Sequence, residues 1–215
     1  MVATQDINVT KRSGELEKFD LEKFHKVCAW ACEGVTGVSP STLELKTQIQ
    51  FHDRIKTTFI MDATIKAAAD LISEETPNYQ YVASRLINFK IRKEVYNYHT
   101  PCPIYYHVQK VVDAGFYDPH LLEWYSEDEF HAMDTFINHE RDFNIVYVGM
   151  EQWRGKYLVK NRTTKEIYES PQMAYMLIAA TLFHSYPKET RLKWVKNYYD
   201  AISQFDISLP TPNIS

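Results

Sequence analysis

The fold of this chain is decided first by residues 7–24, which read INVTKRSGELEKFDLEKF. Ile7 and Val9 alternate with polar neighbours, a pattern typical of a strand with one buried face. Ser13-Gly14 supplies a tight turn, and the apolar residues after it indicate a returning strand. The stretch therefore predicts a β-hairpin that leads directly into a helix.

The helix that follows the hairpin has a clear start and a clear end. Asp20 is a good N-cap, and Gly34 ends the helical pattern. Apolar residues recur between them at helical spacing, at Leu21, Phe24, Val27, Cys28 and Ala31.

Cations cluster in sequence around the start of this helix, at Lys11, Arg12, Lys18 and Lys23. A helix N-terminus offers unpaired N–H groups, so the combination suits a polyphosphate. A few cations beside a hairpin are also typical of an ordinary solvated surface. No Walker-type loop and no GxGxxG loop occurs in the sequence to decide between the two.

Composition limits the class of protein. The 215 residues are 45% hydrophobic and 14% aromatic, which is enough for a packed core in one large domain or two small ones. The formal net charge of −4 argues against a nucleic-acid-binding protein, which would carry a basic excess. No signal peptide or membrane-spanning apolar run is present, so a cytoplasmic protein is expected.

The first half of the chain predicts three further helices. The first runs from Ser39-Pro40 to about residue 52, with its apolar positions at Leu43, Leu45 and Ile49. The second begins at Thr57 or Thr58 and ends near Glu75, with a small-residue stripe at Ile60, Ala63, Ala67, Ala68 and Leu71. The third covers about residues 78–98, and two prolines at 101 and 103 then indicate a domain boundary near residue 100.

The second half is also expected to be mostly helical. Helices are predicted over residues 104–114, from Ser126 to about residue 137, from Ser170-Pro171 to about residue 184, and over residues 188–204. Residues 156–160 and 166–169 are predicted to form a second hairpin. The expected fold class is mainly α (α+β).

Four stretches in order resemble one family. Residues 9–14 (VTKRSG) with 17–27 (EKFDLEKFHKV) are similar to the start of the ATP-cone domain at the N-terminus of class I ribonucleotide reductase large subunits. Residues 55–86, 156–172 and 205–212 resemble the same family. The resemblance implies an ATP-cone allosteric domain over residues 1–99. It implies a helical domain over residues 100–215 that leads into a catalytic barrel.

The resemblance also implies an effector, ATP or dATP with Mg²⁺, under the hairpin lid. Lys11 and Lys93 would contact the triphosphate, and Phe89 and Arg92 would border the pocket. The residues that it assigns to the effector are Lys11, Glu17, Lys18, Phe19, Asp20, Leu21, Glu22, Lys23, Thr57 and Lys93. Thr211 would lie at the edge of the substrate site.

Three positions depart from the family pattern. Phe59 and Met61 stand where many relatives carry Asp and His, and Asp20 stands where they carry Asn. The first two changes remove polar groups that could distinguish effectors, so we expect weak or unselective nucleotide binding, and the sequence leaves open whether dATP inhibition is retained.

The family reaction is reduction of the ribose 2′-hydroxyl of a nucleoside diphosphate by a thiyl radical and a cysteine pair. Cys28, Cys32 and Cys102 match none of those cysteines, and Cys28 and Cys32 are expected to be buried thiols. The resemblance therefore implies no catalytic residue here and an inactive isolated chain. We expect a split subunit that joins a complementary C-terminal chain, with a radical-generating small subunit, through residues 171–184 and the apolar tail 205–215.

Two alternatives come from other classes. Glu22-x-x-His25 and Asp128-x-x-His131 resemble the carboxylate–histidine pairs of two-metal helical bundles, with Asp62 or Asp70 as further ligands. The expected answer is no metal site, because the pairs fall in different predicted domains. A stand-alone ATP-cone regulator of transcription is the other alternative, but the sequence lacks the paired CxxC motifs of such a protein.

Overall fold

A computed structural model of the protein describes residues 7–11, 13–48 and 51–210. These residues are mainly helical with one small sheet, which confirms the expected fold class. Contacts divide the chain into two compact units. The first runs to Lys90 and includes Ile145–Glu151, and the second takes Ile91–Asn144 and the residues from Gln152 onward. The functional boundary expected near residue 100 stays a prediction.

The helices and strands follow one another along the chain with short connections. The helices are α1 (Leu21–Cys32), α2 (Pro40–Gln48), α3 (Thr57–Ala69), α4 (Tyr79–Tyr96), α5 (Ile104–Asp113), α6 (His120–Trp124), α7 (Glu127–Asp134), α8 (Tyr147–Gln152), α9 (Pro171–Phe183) and α10 (Lys188–Ser203). A 3-10 helix covers His139–Asn144 and a π-helix covers Trp153–Tyr157. Among the residues described, no helix has both the length and the apolar character needed to span a membrane.

The sheet has three strands in the order β2-β1-β3, where β1 is Asn8–Thr10, β2 is Leu16–Lys18 and β3 is Ile55–Lys56. Strands β1 and β2 form the expected antiparallel hairpin, and β3 adds a parallel partner for β1 that the sequence analysis did not predict. A two-residue strand gives no readable alternation, which explains the omission. Asn8 and Thr10 hold the loop before β3 by hydrogen bonds to the Asp53 carboxylate (2.9 Å) and the Arg54 carbonyl (3.0 Å).

The hairpin turn depends on its glycine. The Gly14 N–H donates to the Lys11 carbonyl at 3.0 Å, and the Lys11 N–H donates to the Glu15 carbonyl at 2.9 Å. Gly14 adopts a φ of +88°, in the left-handed region that favours glycine over residues with a side chain. A side chain at this position would strain the turn.

Helix α1 follows the hairpin as the sequence predicts. The Asp20 carboxylate caps it by accepting a hydrogen bond from the Lys23 N–H at 3.0 Å. Phe24, Cys28 and Cys32 are buried on its inner face. Burial raises the pKa of Cys28 to about 12 and that of Cys32 to about 11, which confirms two buried thiols at neutral pH.

Helices α2 and α3 are shorter than expected. Leu43 is buried in α2, but Leu45 is 66% exposed, so its assignment to the apolar face is wrong. Ile49 lies outside the described residues. Helix α3 ends at Ala69 rather than near Glu75, because the Ser73 hydroxyl organises the following turn by accepting from the Thr76 N–H at 3.2 Å.

The small-residue stripe predicted for α3 points inward, and α4 also has buried apolar residues. Helix α3 buries the small-residue stripe over Ile60, Ala63, Ala67 and Ala68, while Leu71 lies beyond its end and is half-buried. In α4, Val82 and Leu86 are fully buried. Small side chains in the stripe permit close approach of the helices.

Helices α5 and α7 of the second unit have the starts that the sequence predicts. Ser126 and Glu129 form the expected capping box of α7, with each side chain bonded to the other's backbone N–H. The N–H of Ile104 at the start of α5 donates to the Asp134 carboxylate at 2.9 Å. Helix α7 ends at Asp134, a turn earlier than expected.

The second predicted hairpin is reduced to a single bridge. Lys160 and Ile167 form an isolated antiparallel bridge, and the Tyr168 N–H donates to the Val159 carbonyl at 2.9 Å. The strand predicted from residue 156 is wrong at its start, because residues 156 and 157 belong to the π-helix Trp153–Tyr157.

Helix α9 is enclosed within the second unit. Residues 171–177 are all buried, so the expectation that this helix offers an interface to another chain is wrong over that length. Only its last turn is open, with Leu182 46% exposed. The described residues after α10 form turns and bends without a strand up to Pro210, and the rest of the predicted terminal strand lies outside the described residues.

Candidate functional site

The hairpin presents Glu17 and Lys18 on opposite sides. Glu17 on β2 lies directly opposite Val9 on β1, and Val9 lies opposite Ile55 on β3. Paired residues point to the same face of a sheet, so Glu17 shares its face with two buried apolar side chains. Lys18 follows Glu17 and therefore lies on the other face.

A cluster of charges joins the hairpin to the start of α1. One carboxylate oxygen of Glu17 forms an ion pair with the Lys11 ammonium, and its other oxygen lies 3.7 Å from the Lys23 ammonium. Lys23 also lies 3.3 Å from the Asp20 carboxylate. The structure thus brings together four of the residues assigned to the effector by resemblance, and we call Lys11, Glu17, Asp20 and Lys23 the lid cluster.

Contacts within the lid cluster raise the pKa of a lysine and lower the pKa values of the two carboxyl groups. The hydrogen bond to Glu17, followed by its negative charge, raises the pKa of the Lys11 ammonium. The same pair lowers the pKa of the Glu17 carboxyl, with a smaller contribution from Lys23. The backbone N–H of Lys23 lowers the pKa of Asp20 most. The cluster combines two lysine side chains with two carboxylates.

The remaining residues at the start of α1 have separate roles. Glu22 points along the helix surface to Lys26, at 2.8 Å, and Leu21 is half-buried. Phe19 packs against Phe24 and Phe51, with ring centroids 5.9 and 5.2 Å apart. Phe19 is therefore a half-buried packing residue of the first unit, and its backbone N–H donates to the Ile7 carbonyl at 2.8 Å.

Thr57 is positioned by the unpredicted third strand. Lys56, the last residue of β3, is paired with Thr10 of β1. Thr57 directly follows Lys56, and Lys11 directly follows Thr10, so both lie at the same end of this strand pair. Thr57 is half-buried at the first position of α3. Two residues further on, Phe59 is 64% exposed.

Lys93 and its neighbours on α4 have mixed environments. Lys93 is exposed near the end of that helix, on the part that belongs to the second unit, and its role in the effector site stays a prediction. Phe89 packs against Trp30, with ring centroids at 5.5 Å. Arg92 is 8% exposed and donates to the Asp142 carboxylate at 2.8 Å, and its place at the border of the effector pocket stays a prediction. Thr211 lies outside the described residues.

The carboxylate–histidine pairs predicted for a metal centre are separated by other contacts. His25 lies 2.7 Å from Glu44 on α2, and His131 lies 3.5 Å from Glu127 within α7. Within the described ranges, no group of three or more His, Cys, Asp or Glu side chains could hold a metal ion.

Sequence reasoning missed two contributors to this region. Asp53, which holds the N–H of Asn8, has no periodic signal because it lies in a loop. The bridging position of Glu17 between two lysines was also missed, although an acidic residue between Lys11 and Lys23 in a predicted strand was the available signal.

Comparison with known proteins identifies two domain families in the chain. Residues 7–94 match the ATP cone domain family, and residues 143–215 match the ribonucleotide reductase all-alpha domain family. Ribonucleoside-diphosphate reductase 1 subunit alpha of Escherichia coli is 54% identical over 211 residues, which is 98% of this chain and 28% of the relative. The alpha subunits of Haemophilus influenzae and of Enterobacteria phage T4 are 50% and 45% identical over 208 residues each.

The chain thus spans about 28% of the length of the curated relatives that it matches. The two family matches leave only a central stretch of the chain unassigned, and the full-length similarity continues through that stretch. The chain thus carries an ATP cone domain followed by a ribonucleotide reductase all-alpha domain, and over its length it is homologous to the N-terminal region of ribonucleoside-diphosphate reductase alpha subunits.

Proposed function

We propose that this chain is the regulatory N-terminal region of a cytoplasmic ribonucleoside-diphosphate reductase and that its ATP cone binds ATP or dATP, with Mg²⁺, as an allosteric effector. The observation that carries the proposal is the convergence of Lys11 and Lys23 on one point. They come from different elements, and each contacts a separate oxygen of the same carboxylate. That point adjoins the start of α1, where helix N–H groups favour an anion.

The proposed effector residues are those assigned by resemblance. They are Lys11, Glu17, Lys18, Phe19, Asp20, Leu21, Glu22, Lys23, Thr57 and Lys93. Lys11 and Lys23 supply charge to the phosphates, and Thr57 offers a hydroxyl at the start of α3. Phe59 and Met61 present apolar groups on the same helix, so we propose that the site distinguishes ATP from dATP poorly.

The chemistry of reduction is proposed to belong to the rest of the alpha subunit. Cys28 and Cys32 are buried thiols whose pKa values are raised to about 12 and about 11, which makes them unsuitable as exchanging thiolates. Burial also raises the pKa of Cys102. We propose that the reacting cysteines lie on a complementary C-terminal part of the subunit, which works with a radical-generating small subunit. Thr211 would contribute at the edge of the substrate site.

Calorimetric titration of the chain with ATP and with dATP, in the presence of Mg²⁺, tests effector binding. Replacing Lys11 or Lys23 by Ala should weaken binding at least about tenfold, because each change removes a charge-assisted contact to phosphate. Lys26→Ala is the matched control, since Lys26 is an exposed lysine of α1 that pairs with Glu22. A saturating heat signal that none of the lysine changes alters would place the nucleotide elsewhere.

A further inference from the structure

The carboxylate of Glu17 occupies the point where the two lysines meet. Its Oε2 pairs with the Lys11 ammonium from the hairpin turn, and its Oε1 lies 3.7 Å from the Lys23 ammonium of α1. A phosphate group between two ammonium groups would use two of its oxygens in the same way. Glu17 therefore resembles an anionic ligand that the chain itself provides.

The second carboxylate of the lid cluster is tied to another task. The Asp20 Oδ1 accepts the Lys23 N–H and caps α1, while its Oδ2 lies 3.3 Å from the Lys23 ammonium. Moving Asp20 would uncap the helix, whereas the contacts described for the Glu17 carboxylate are to lysine side chains. Its side chain is 36% exposed, so it can turn away from the lysines into water.

We propose that Glu17 is a displaceable internal counter-ion, which a polyphosphate must expel from between Lys11 and Lys23 in order to bind. This inference rests on the proposed function of the lid cluster and adds a competing internal anion to it. A ligand with a single weak charge competes poorly with a carboxylate that is covalently held nearby. A triphosphate replaces it readily because it carries several charges and can contact both lysines at once.

The same exchange would change how the hairpin is attached. Glu17 belongs to β2 and Lys23 to α1, so their interaction ties the hairpin to the helix. Displacing the carboxylate releases this tie and substitutes the ligand for it. The ligand then takes the place of Glu17 in joining the hairpin to the helix.

Calorimetry of the full chain at fixed low ionic strength tests the counter-ion directly. The probes are inorganic tripolyphosphate, which lacks base and sugar, and inorganic orthophosphate. Glu17→Gln should tighten tripolyphosphate binding about threefold, the scale of an exposed ion pair. Orthophosphate should gain by a similar factor, because it must expel the same carboxylate from between the two lysines.

Glu15→Gln is the matched control on the same hairpin. It removes the same charge, but the Glu15 carboxylate accepts from the Ser13 hydroxyl at 3.2 Å and, among the residues described, forms no ion pair with a lysine. We expect the affinity of the Glu15→Gln variant for tripolyphosphate to differ from that of wild type by less than twofold. An equal gain in both variants would reduce the effect to net charge and overturn the inference.

The remaining outcomes separate the inference from the proposed function. Unchanged or weaker tripolyphosphate binding in Glu17→Gln would overturn the counter-ion and leave the effector site standing. A wild-type chain that binds neither ATP nor tripolyphosphate would overturn the proposed function, and the counter-ion with it.

Discussion

Glu169 shows how a single residue can make the second unit sensitive to pH. Its carboxylate accepts the Tyr117 hydroxyl at 2.6 Å and the Val159 N–H at 2.7 Å, and no cation is paired with it in the described contacts. His107 lies 3.2 Å from the Tyr117 hydroxyl, so the three side chains form a buried chain of hydrogen bonds. Burial raises the pKa of Glu169 to about 7, against the two hydrogen bonds that lower it.

Replacing Glu169 by Gln should therefore remove one component of the pH dependence of stability. Because the folded pKa is above the ordinary value of 4.5, the contribution of Glu169 to stability is fully present below about pH 4.5 and is lost as pH rises to about 7. Glu169→Gln should unfold at nearly the same urea concentration as wild type at pH 5. At pH 8 it should be more stable, by up to ~3 kcal/mol.

The comparison between variants isolates Glu169 from its neighbours. Burial lowers the pKa of His107 to about 3 and that of His139 to about 4, so both destabilise the fold as pH falls, in wild type and variant alike. The other groups around the carboxyl, Tyr117 and Tyr96, have raised pKa values and stay neutral over this range. A difference between the variants that does not change with pH would show that Glu169 does not titrate there.

The sequence predicted correctly those structural elements that are determined by residues close together in the chain. The hairpin, the Asp20 cap and the Ser126–Glu129 capping box each depend on residues close in sequence. Strand β3 was missed because its partner is β1, far away along the chain, and the second hairpin failed because residues 156 and 157 belong to a π-helix. The bridging role of Glu17 likewise depends on a tertiary contact with α1.

The start of α7 carries an ion pair that the capping box alone does not reveal. Arg191 of α10 is 3% exposed and donates to both oxygens of Glu129, at 2.7 and 2.6 Å. Arg191 also donates to the Trp124 carbonyl at 2.6 Å. Glu129 thus both completes the capping box of α7 and forms the ion pair with the buried Arg191.

Glu129→Ala should destabilise the fold by about 3 kcal/mol or more, because it leaves the Arg191 charge buried without its partner. Ser126→Ala removes only the cap and should cost about 1 kcal/mol. Urea unfolding monitored by circular dichroism measures both. Glu127→Ala, in the exposed first turn of the same helix, is the control, and the prediction fails if its cost equals that of Glu129→Ala.

For the whole molecule, the regulatory and reactive functions are proposed to lie in different parts of the alpha subunit. The lid cluster belongs to the first unit, where the ATP cone match covers residues 7–94. The chain spans about 28% of its curated relatives, and its described cysteines are buried or half-buried thiols. Effector binding and reduction should therefore be separable in an assay.

The isolated chain should reduce no ribonucleoside diphosphate, even with a dithiol reductant and Mg²⁺-ATP, because none of its thiols suits the exchange step. Mixing it with the remaining part of an alpha subunit and with the small subunit should produce deoxyribonucleotide, measured by chromatography of the products. In that mixture Lys23→Ala should raise the ATP concentration for half of the effector response about tenfold, whereas Lys26→Ala should not. Turnover by the chain alone would contradict the division of functions. A response that is unaffected by Lys23→Ala would instead separate regulation from the lid cluster, since the charge of Lys23 is what the triphosphate is proposed to use.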